Sequence, residues 1–279
     1  MNKINLMING VPGNVAITIA RHVIDDNRFN LLPYSLTGPD INETIFTINN
    51  FKLTLIQPDK REQQIKLVKE QYQDIYVIDF THPSSVNSNA LFYINNKLPF
   101  AMGTTGGDRE KLEQDINKGG IPAVIAPNMA KQIVGFQAMM EYGANTFPDL
   151  FKGFSLEIME SHQNGKADTS GTAKAMVKYF NKMGLEFSNK DIKKERNPEI
   201  QKTIWEIPEE YLSGHGFHTY TIKSKDGTCE FQFKHNICGR DIYVDGSLDA
   251  ILFLNRICSE KNAHDINFYT MIDVLKKKI

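Results

Sequence analysis

The chain has 279 residues, 32 of them basic and 33 acidic, for a formal net charge of −1. That balance gives no general field for nucleic acid or an anionic membrane surface, so any basic site must be local. The three cysteines, Cys229, Cys238 and Cys258, lack CxxC spacing, which suggests neither a disulfide framework nor a zinc ribbon and fits a reducing compartment.

The length suits two domains of moderate size, each able to bury a core. Residues 1–8 run straight into a strand pattern without a signal or transit peptide, and no apolar run approaches the ~18–20 residues that span a bilayer. Cytoplasmic residence is expected, with a plastid as the alternative for a chain trimmed of its transit segment. Apolar runs at residues 4–8, 29–36, 75–80, 98–102 and 123–126 predict strands. Helical patterns at 15–24, 61–72, 108–117 and 130–147 lie between them. This alternation predicts an α/β fold, a Rossmann-like doubly wound parallel sheet over residues 1–129.

From Phe154 the pattern changes to strands of alternating polarity at 154–158, 217–222 and 229–234. The last two flank Lys225-Asp226-Gly227, a good hairpin turn. With a helix at 172–183 crossing one face, residues 130–245 read as a second α+β domain on a mixed or antiparallel sheet. Helices at 248–258 and 268–277 follow and are expected to pack back on the first domain. Lys276-Lys277-Lys278 reads as a solvated helix end.

Gly10-Val11-Pro12-Gly13-Asn14-Val15-Ala16 follows the first strand and opens the first helix. Glycines there allow a tight turn and close approach to a pyrophosphate held by the helix N-terminus, although the same spacing also occurs in chance turns. Dinucleotide sites selective for NAD place a carboxylate about 20 residues further on, to bind the ribose hydroxyls. Here Pro33-Tyr34-Ser35-Leu36-Thr37-Gly38 has none, and uncharged Ser35 and Thr37 would not repel a 2′-phosphate. NADPH is the expected cofactor, with NADH also accommodated. Two more strand ends carry loops where a ligand of an open α/β sheet belongs. They are Phe80-Thr81-His82-Pro83-Ser84-Ser85, which equally suits an ordinary helix start, and Gly103-Thr104-Thr105-Gly106-Gly107-Asp108, whose glycines would let a flat ring lie close.

The polar stretch Glu160-Ser161-His162-Gln163-Asn164-Gly165-Lys166-Ala167-Asp168-Thr169-Ser170-Gly171-Thr172 runs from a strand to a helix start. Ser170, Gly171 and Thr172 can offer hydroxyls and N–H groups to a carboxylate, Lys166 a fixed charge, and His162 a proton near neutral pH. A capped surface loop is the competing reading. His215, His218 and His235 could be imagined as a metal site, but the first two lie in and beside strands without a nearby carboxylate ligand, so no metal is expected. Trp205, Phe217, Tyr220, Phe231, Phe233 and Tyr243 read as core or subunit interface rather than a stack for bases.

Residues 10–15, 103–107 and 160–172 join a fourth motif, His235-Asn236-Ile237-Cys238-Gly239-Arg240 with Asp245-Gly246-Ser247-Leu248-Asp249-Ala250-Ile251-Leu252-Phe253-Leu254. In this order they resemble the dihydrodipicolinate reductase family, and its plant-type branch most closely. The resemblance implies reduction, with NAD(P)H, of 4-hydroxy-tetrahydrodipicolinate or dihydrodipicolinate to tetrahydrodipicolinate in lysine and diaminopimelate biosynthesis. It implies cofactor contacts at Gly10, Val11, Pro12, Gly13, Asn14, Val15, Gly103, Thr104 and Thr105, and at Ala126, Pro127, Asn128 and Met129. Phe80, Ser35 and Thr37 join that set from their strand ends. His162 matches the family's catalytic acid and Lys166 its second catalytic residue. Gly171 and Thr172 match its substrate-carboxylate contacts, with Ser170 beside them and Thr105 as a further one.

Compared with the commoner bacterial motif, Gln163 replaces a second histidine and Asp168-Thr169-Ser170-Gly171-Thr172 is one residue shorter. Gln163 could make the missing contact only as a neutral group. A homodimer or homotetramer is expected, as is closure between the domains on binding. Two alternatives are a dinucleotide-sensing regulator without turnover and an amino-acid dehydrogenase such as aspartate dehydrogenase.

Overall fold

The computed structural model describes residues 3–260 and 266–276. Met1 and Asn2, which precede the expected first strand, and Lys277 and Lys278 of the expected helix end, lie outside the described residues. The chain forms two compact units, Met1–Val134 with Arg240–Ile279, and Gly135–Gly239. The sequence pattern puts the boundaries at 129/130 and 245/246.

In the first unit, β1 (Ile4–Asn9) leads into α1 (Asn14–Asp25), followed by β2 (Phe29–Leu31), β3 (Tyr34–Leu36), β4 (Ile45–Ile48) and β5 (Phe51–Ile56). Next come α2 (Arg61–Gln71), β6 (Ile75–Asp79), α3 (Val86–Asn95), β7 (Phe100–Met102), α4 (Arg109–Gly119) and β8 (Ala123–Ile125). β6 is buried at every position, as a central parallel strand covered on both faces must be.

The single strand predicted over 29–36 is two strands in different sheets. Leu32 N–H still donates to Leu6 of β1, but Pro33 has no N–H to continue the ladder, and its carbonyl instead accepts from Thr54 of β5. The chain thereby leaves the main sheet for a three-stranded one, ordered β3-β5-β4. Its β4–β5 hairpin turns on Asn49 and Asn50, both at positive φ.

α5 (Lys131–Thr146) leads to the second unit, built from β9 (Ser155–His162), α6 (Gly171–Lys182), β10 (Lys193–Glu195), α7 (Pro198–Thr203), β11 (His215–Lys223) and β12 (Glu230–Cys238). The sheet order is β10-β9-β11-β12, with β10 parallel to β9 and the other pairs antiparallel. β9 runs four residues beyond the predicted end at 158, so Glu160, Ser161 and His162 belong to a strand rather than a loop. Along α6, Ala173, Met176, Val177 and Phe180 recur at helical spacing and pack on Ile158, Tyr220 and Ile222 of the sheet.

The chain then returns to the first unit with α8 (Ile242–Ser259), β13 (Phe268–Tyr269) and α9 (Met271–Lys276). The parallel sheet reads β13-β8-β7-β6-β1-β2. α1 and α8 fill one face of it, through Ile19, Val23, Leu248, Ile251 and Leu254, and α2, α3 and α4 fill the other. The helix predicted over 268–277 begins only at Met271. Phe268 and Tyr269 pair with β8, and the Asp273 carboxylate accepts from the Thr270 N–H and hydroxyl, starting the helix after the strand.

Candidate active site

At the carboxyl end of β1 the chain turns back on itself at Gly10, whose φ is +107°. A Cβ at Gly10 would lie 2.3 Å from the Phe80 carbonyl oxygen, and one at Gly13 would lie 2.7 Å from that of Gly10. Only glycine fits either position. Gly13 caps α1 without a side-chain hydrogen bond, so its first N–H groups are left for an external anion. At Gly103 a Cβ would meet the Phe80 ring at 2.3 Å, which means the ring lies close beneath that loop. A backbone cradle and a free helix N-terminus fit a dinucleotide pyrophosphate.

Two predicted cofactor residues have other work. Ser35 is fully buried; its hydroxyl accepts from Val11 N–H at 3.3 Å and donates to the Leu36 carbonyl. Thr37 donates to the Val11 carbonyl at 2.8 Å. Both hydroxyls are therefore bonded to the backbone of the turn that the glycines open. Thr104 is buried and donates to Asp79, while Thr105 is exposed. Ala126 and Met129 are buried, Pro127 is exposed, and half-buried Asn128 accepts from Ala130 N–H.

The residue that ties these loops together was not singled out from sequence. Asp79, fully buried at the end of β6, accepts from Tyr93 at 2.5 Å, from Asn89, from Thr104 and from both the N–H and hydroxyl of Thr81. Asn9 donates to the Tyr93 hydroxyl and accepts from Leu36 N–H. Burial, with the Asp79 carboxylate beside it, pushes the Tyr93 phenol well above its usual range, so it remains a donor. An acid at the end of a run of five buried strand residues was the available signal.

In the second unit, β9 carries Glu160 and His162 on one face, under the start of α6. Glu160 has no exposed surface; it accepts from Arg196 at 2.5 Å and from Ser170 N–H at 2.9 Å. His162 donates from Nδ1 to the His215 carbonyl at 2.9 Å, because a carbonyl only accepts. Its buried Nε2 is left without a protein partner among the described residues. Burial first, opposed by the Glu160 carboxylate, lowers the His162 imidazole to about 4. Lys166 is half-buried on the loop that follows, its backbone joined to Gln163, and its ammonium makes no ion pair among the described residues. Ser170 caps α6 without using its hydroxyl, Gly171 opens onto free space, and Gln163 and Thr172 are half-buried. The arrangement can take an anion on Lys166 and the helix start.

His218 and His235 join this face across the sheet, where Glu160, His218 and His235 are register partners. The His218 ring stacks on His235 at 4.6 Å and meets His162 edge-on at 5.1 Å. Glu160 Oε2 lies 3.9 Å from His218 Nε2, which corrects the expectation that no carboxylate stands near that histidine. Glu160, His162 and His218 bring ligand-type atoms within 4.8 Å of one another. A divalent ion there would have to displace the Arg196 guanidinium and the Ser170 N–H from the only anionic member.

A model of the dihydrodipicolinate reductase N-terminus matches residues 4–129, and one of its C-terminus matches residues 133–275. The chloroplastic 4-hydroxy-tetrahydrodipicolinate reductase 1 of Arabidopsis thaliana is 41% identical over 276 residues, covering 99% of this chain and 79% of that protein. The probable 4-hydroxy-tetrahydrodipicolinate reductase 2, chloroplastic, of Oryza sativa subsp. japonica is 40% identical over 272 residues, covering 98% and 83%. A dipicolinate-bound dihydrodipicolinate reductase from Paenisporosarcina sp. TG-14 shares the fold with a TM-score of 0.67 at 18% identity, over 96% of this chain and 98% of that one. With both family models matched in order across the two units, the chain belongs to the dihydrodipicolinate reductase family.

Proposed function

We propose that the chain reduces 4-hydroxy-tetrahydrodipicolinate, or the imine formed from it by loss of water, to tetrahydrodipicolinate in lysine and diaminopimelate biosynthesis. The observation that carries this reading is the match of both family models across nearly the whole chain, on a fold that presents a dinucleotide cradle and an anion-binding loop. NADPH or NADH, when bound, supplies the hydride. Gly10, Val11, Pro12, Gly13, Asn14 and Val15 would hold its pyrophosphate, with Phe80, Gly103, Thr104, Thr105 and residues 126–129 beside the rest.

Lys166 and the N-terminus of α6, at Ser170, Gly171 and Thr172, hold and orient the dicarboxylate and stabilise the charge that develops on its ring. Gln163 adds a neutral hydrogen-bonding group. His162 holds the proton at Nε2. Burial keeps that nitrogen unprotonated in the free chain at neutral pH, and the negative charge of an arriving dicarboxylate raises its proton affinity. The proton thus enters with the substrate and is then passed on to complete the reduction.

The chain works in the cytoplasm or a plastid and self-associates through its second unit. Met139, Tyr142, Phe147, Leu150 and Phe231 leave apolar surface exposed there, and β12 is an open sheet edge. The deciding experiment is an assay fed by the preceding synthase, with NADPH absorbance followed. Substrate-dependent oxidation of NADPH is expected. A regulator would bind NADPH without turnover, and an aspartate dehydrogenase would instead reduce its cofactor with aspartate.

A further inference from the structure

The segment between α6 and β11 carries none of the motifs that point to function, yet it holds the anion loop from outside. Arg196, between β10 and α7, donates from Nε to the Lys166 carbonyl at 2.8 Å. Its Nη2 reaches Glu160 Oε1 at 2.5 Å and the Asp168 carbonyl at 3.5 Å, and its Nη1 reaches the Glu195 carbonyl at 2.8 Å. The second Glu160 oxygen accepts from Ser170 N–H, at the start of α6. A few residues on, buried Gln201 donates to the His162 carbonyl at 2.7 Å. One guanidinium therefore joins the strand bearing His162, the turn bearing Lys166 and, through Glu160, the helix start.

A buried ion pair contributes little net stability, because its desolvation cost offsets its Coulomb gain, so stability alone does not account for this one. The fixed fork of arginine makes several directed bonds at once, which the point charge of lysine cannot. We propose that Arg196 is a positioning residue for the reaction, fixing the Lys166 turn and the α6 N-terminus relative to His162 so that the dicarboxylate meets a preorganised site. This rests on the roles given above to His162 and Lys166. Arg196 also sets the charge around His162, which faces Glu160, Arg196, Lys166 and the rings of His215, His218 and His235. Its cation balances Glu160 there.

The test compares full-length wild type with Arg196→Lys and Arg196→Met. For each, kcat/KM with the dicarboxylate, the Kd for NADPH and the titration of the His162 imidazole by NMR are measured. Arg196→Lys keeps the charge but not the fork. It is expected to lose about tenfold or more in kcat/KM, with the NADPH Kd and the His162 titration unchanged. Arg196→Met leaves Glu160 unbalanced and is expected to shift the His162 titration upward as well. A kcat/KM for Arg196→Lys within about twofold of wild type overturns the proposal, and so does a loss matched by an equal loss of NADPH affinity. An inactive wild type would sink the functional reading instead.

Discussion

Gly10 combines a positive φ with a Cβ position 2.3 Å from the Phe80 carbonyl, so Gly10→Ala strains the turn by about 1–3 kcal/mol or moves it. The expected result is NADPH binding weakened at least about tenfold with a lowered Tm, checked by fluorescence titration and thermal melting. His162 and Lys166 separate by kinetics. His162→Gln should lower kcat by roughly 10²–10⁴ with little change in KM, whereas Lys166→Ala should damage both. Wild-type constants in both variants would remove these residues from the reaction. Protonation gives an independent check. Calorimetry of dipicolinate binding near pH 7, in buffers of different ionisation enthalpy, should show proton uptake by the wild type and less by His162→Gln. At this scale the contiguous motifs were legible, because the glycine turn and the strand-to-helix loop each lie within a short stretch of chain. The backbone bonds of Ser35 and Thr37 were not legible, since a hydroxyl at a strand end suits a ligand or the neighbouring backbone equally well, and only the fold shows the Val11 and Leu36 partners.

The elements add two expectations. α8 crosses beside the Met129 backbone at Gly246, where a Cβ would lie 1.9 Å from the Met129 oxygen. Gly246→Ala is therefore expected to destabilise the chain by about 2 kcal/mol or more, through a shifted helix, as urea unfolding would show. The second expectation concerns the face shared by β9, β11 and β12. His162 and His235 are each held at about 4, chiefly by burial, against a usual 6.5, and His218 is pushed well below it. Between those values the unfolded chain binds more protons than the folded one, so stability falls as pH drops from 6.5 toward 4 and hardly changes above 6.5. His235→Gln should flatten this acid limb in unfolding measured by denaturant. Period-2 and helical spacing placed most of these elements, including the hairpin around Gly227. The β4–β5 hairpin, α3, β10 and α7 were missed, being short or weakly periodic, and the strand at 29–36 was divided by a proline that the apolar pattern bridged.

For the whole molecule, the two units should report their ligands separately in hydrogen exchange. NADPH is expected to slow exchange at Gly10, Gly13 and the first turn of α1, and dipicolinate at Ser170, Gly171 and the first turn of α6. Protection in the opposite units would refute both placements. Period and spacing alone determined that a parallel α/β domain precedes a sheet domain, that a glycine turn of the dinucleotide type opens the chain, and that a lysine and a histidine share one polar strand-to-helix stretch. These follow from features repeated or contiguous along the chain. Only the tertiary structure decided that Asp79 joins the loops at several strand ends, that Arg196 and Glu160 tie the Lys166 turn to the start of α6, and that His218 and His235 stand beside His162. Each depends on strands and loops brought together from distant parts of the sequence, where neither spacing nor residue type encodes which neighbour a buried charge will meet.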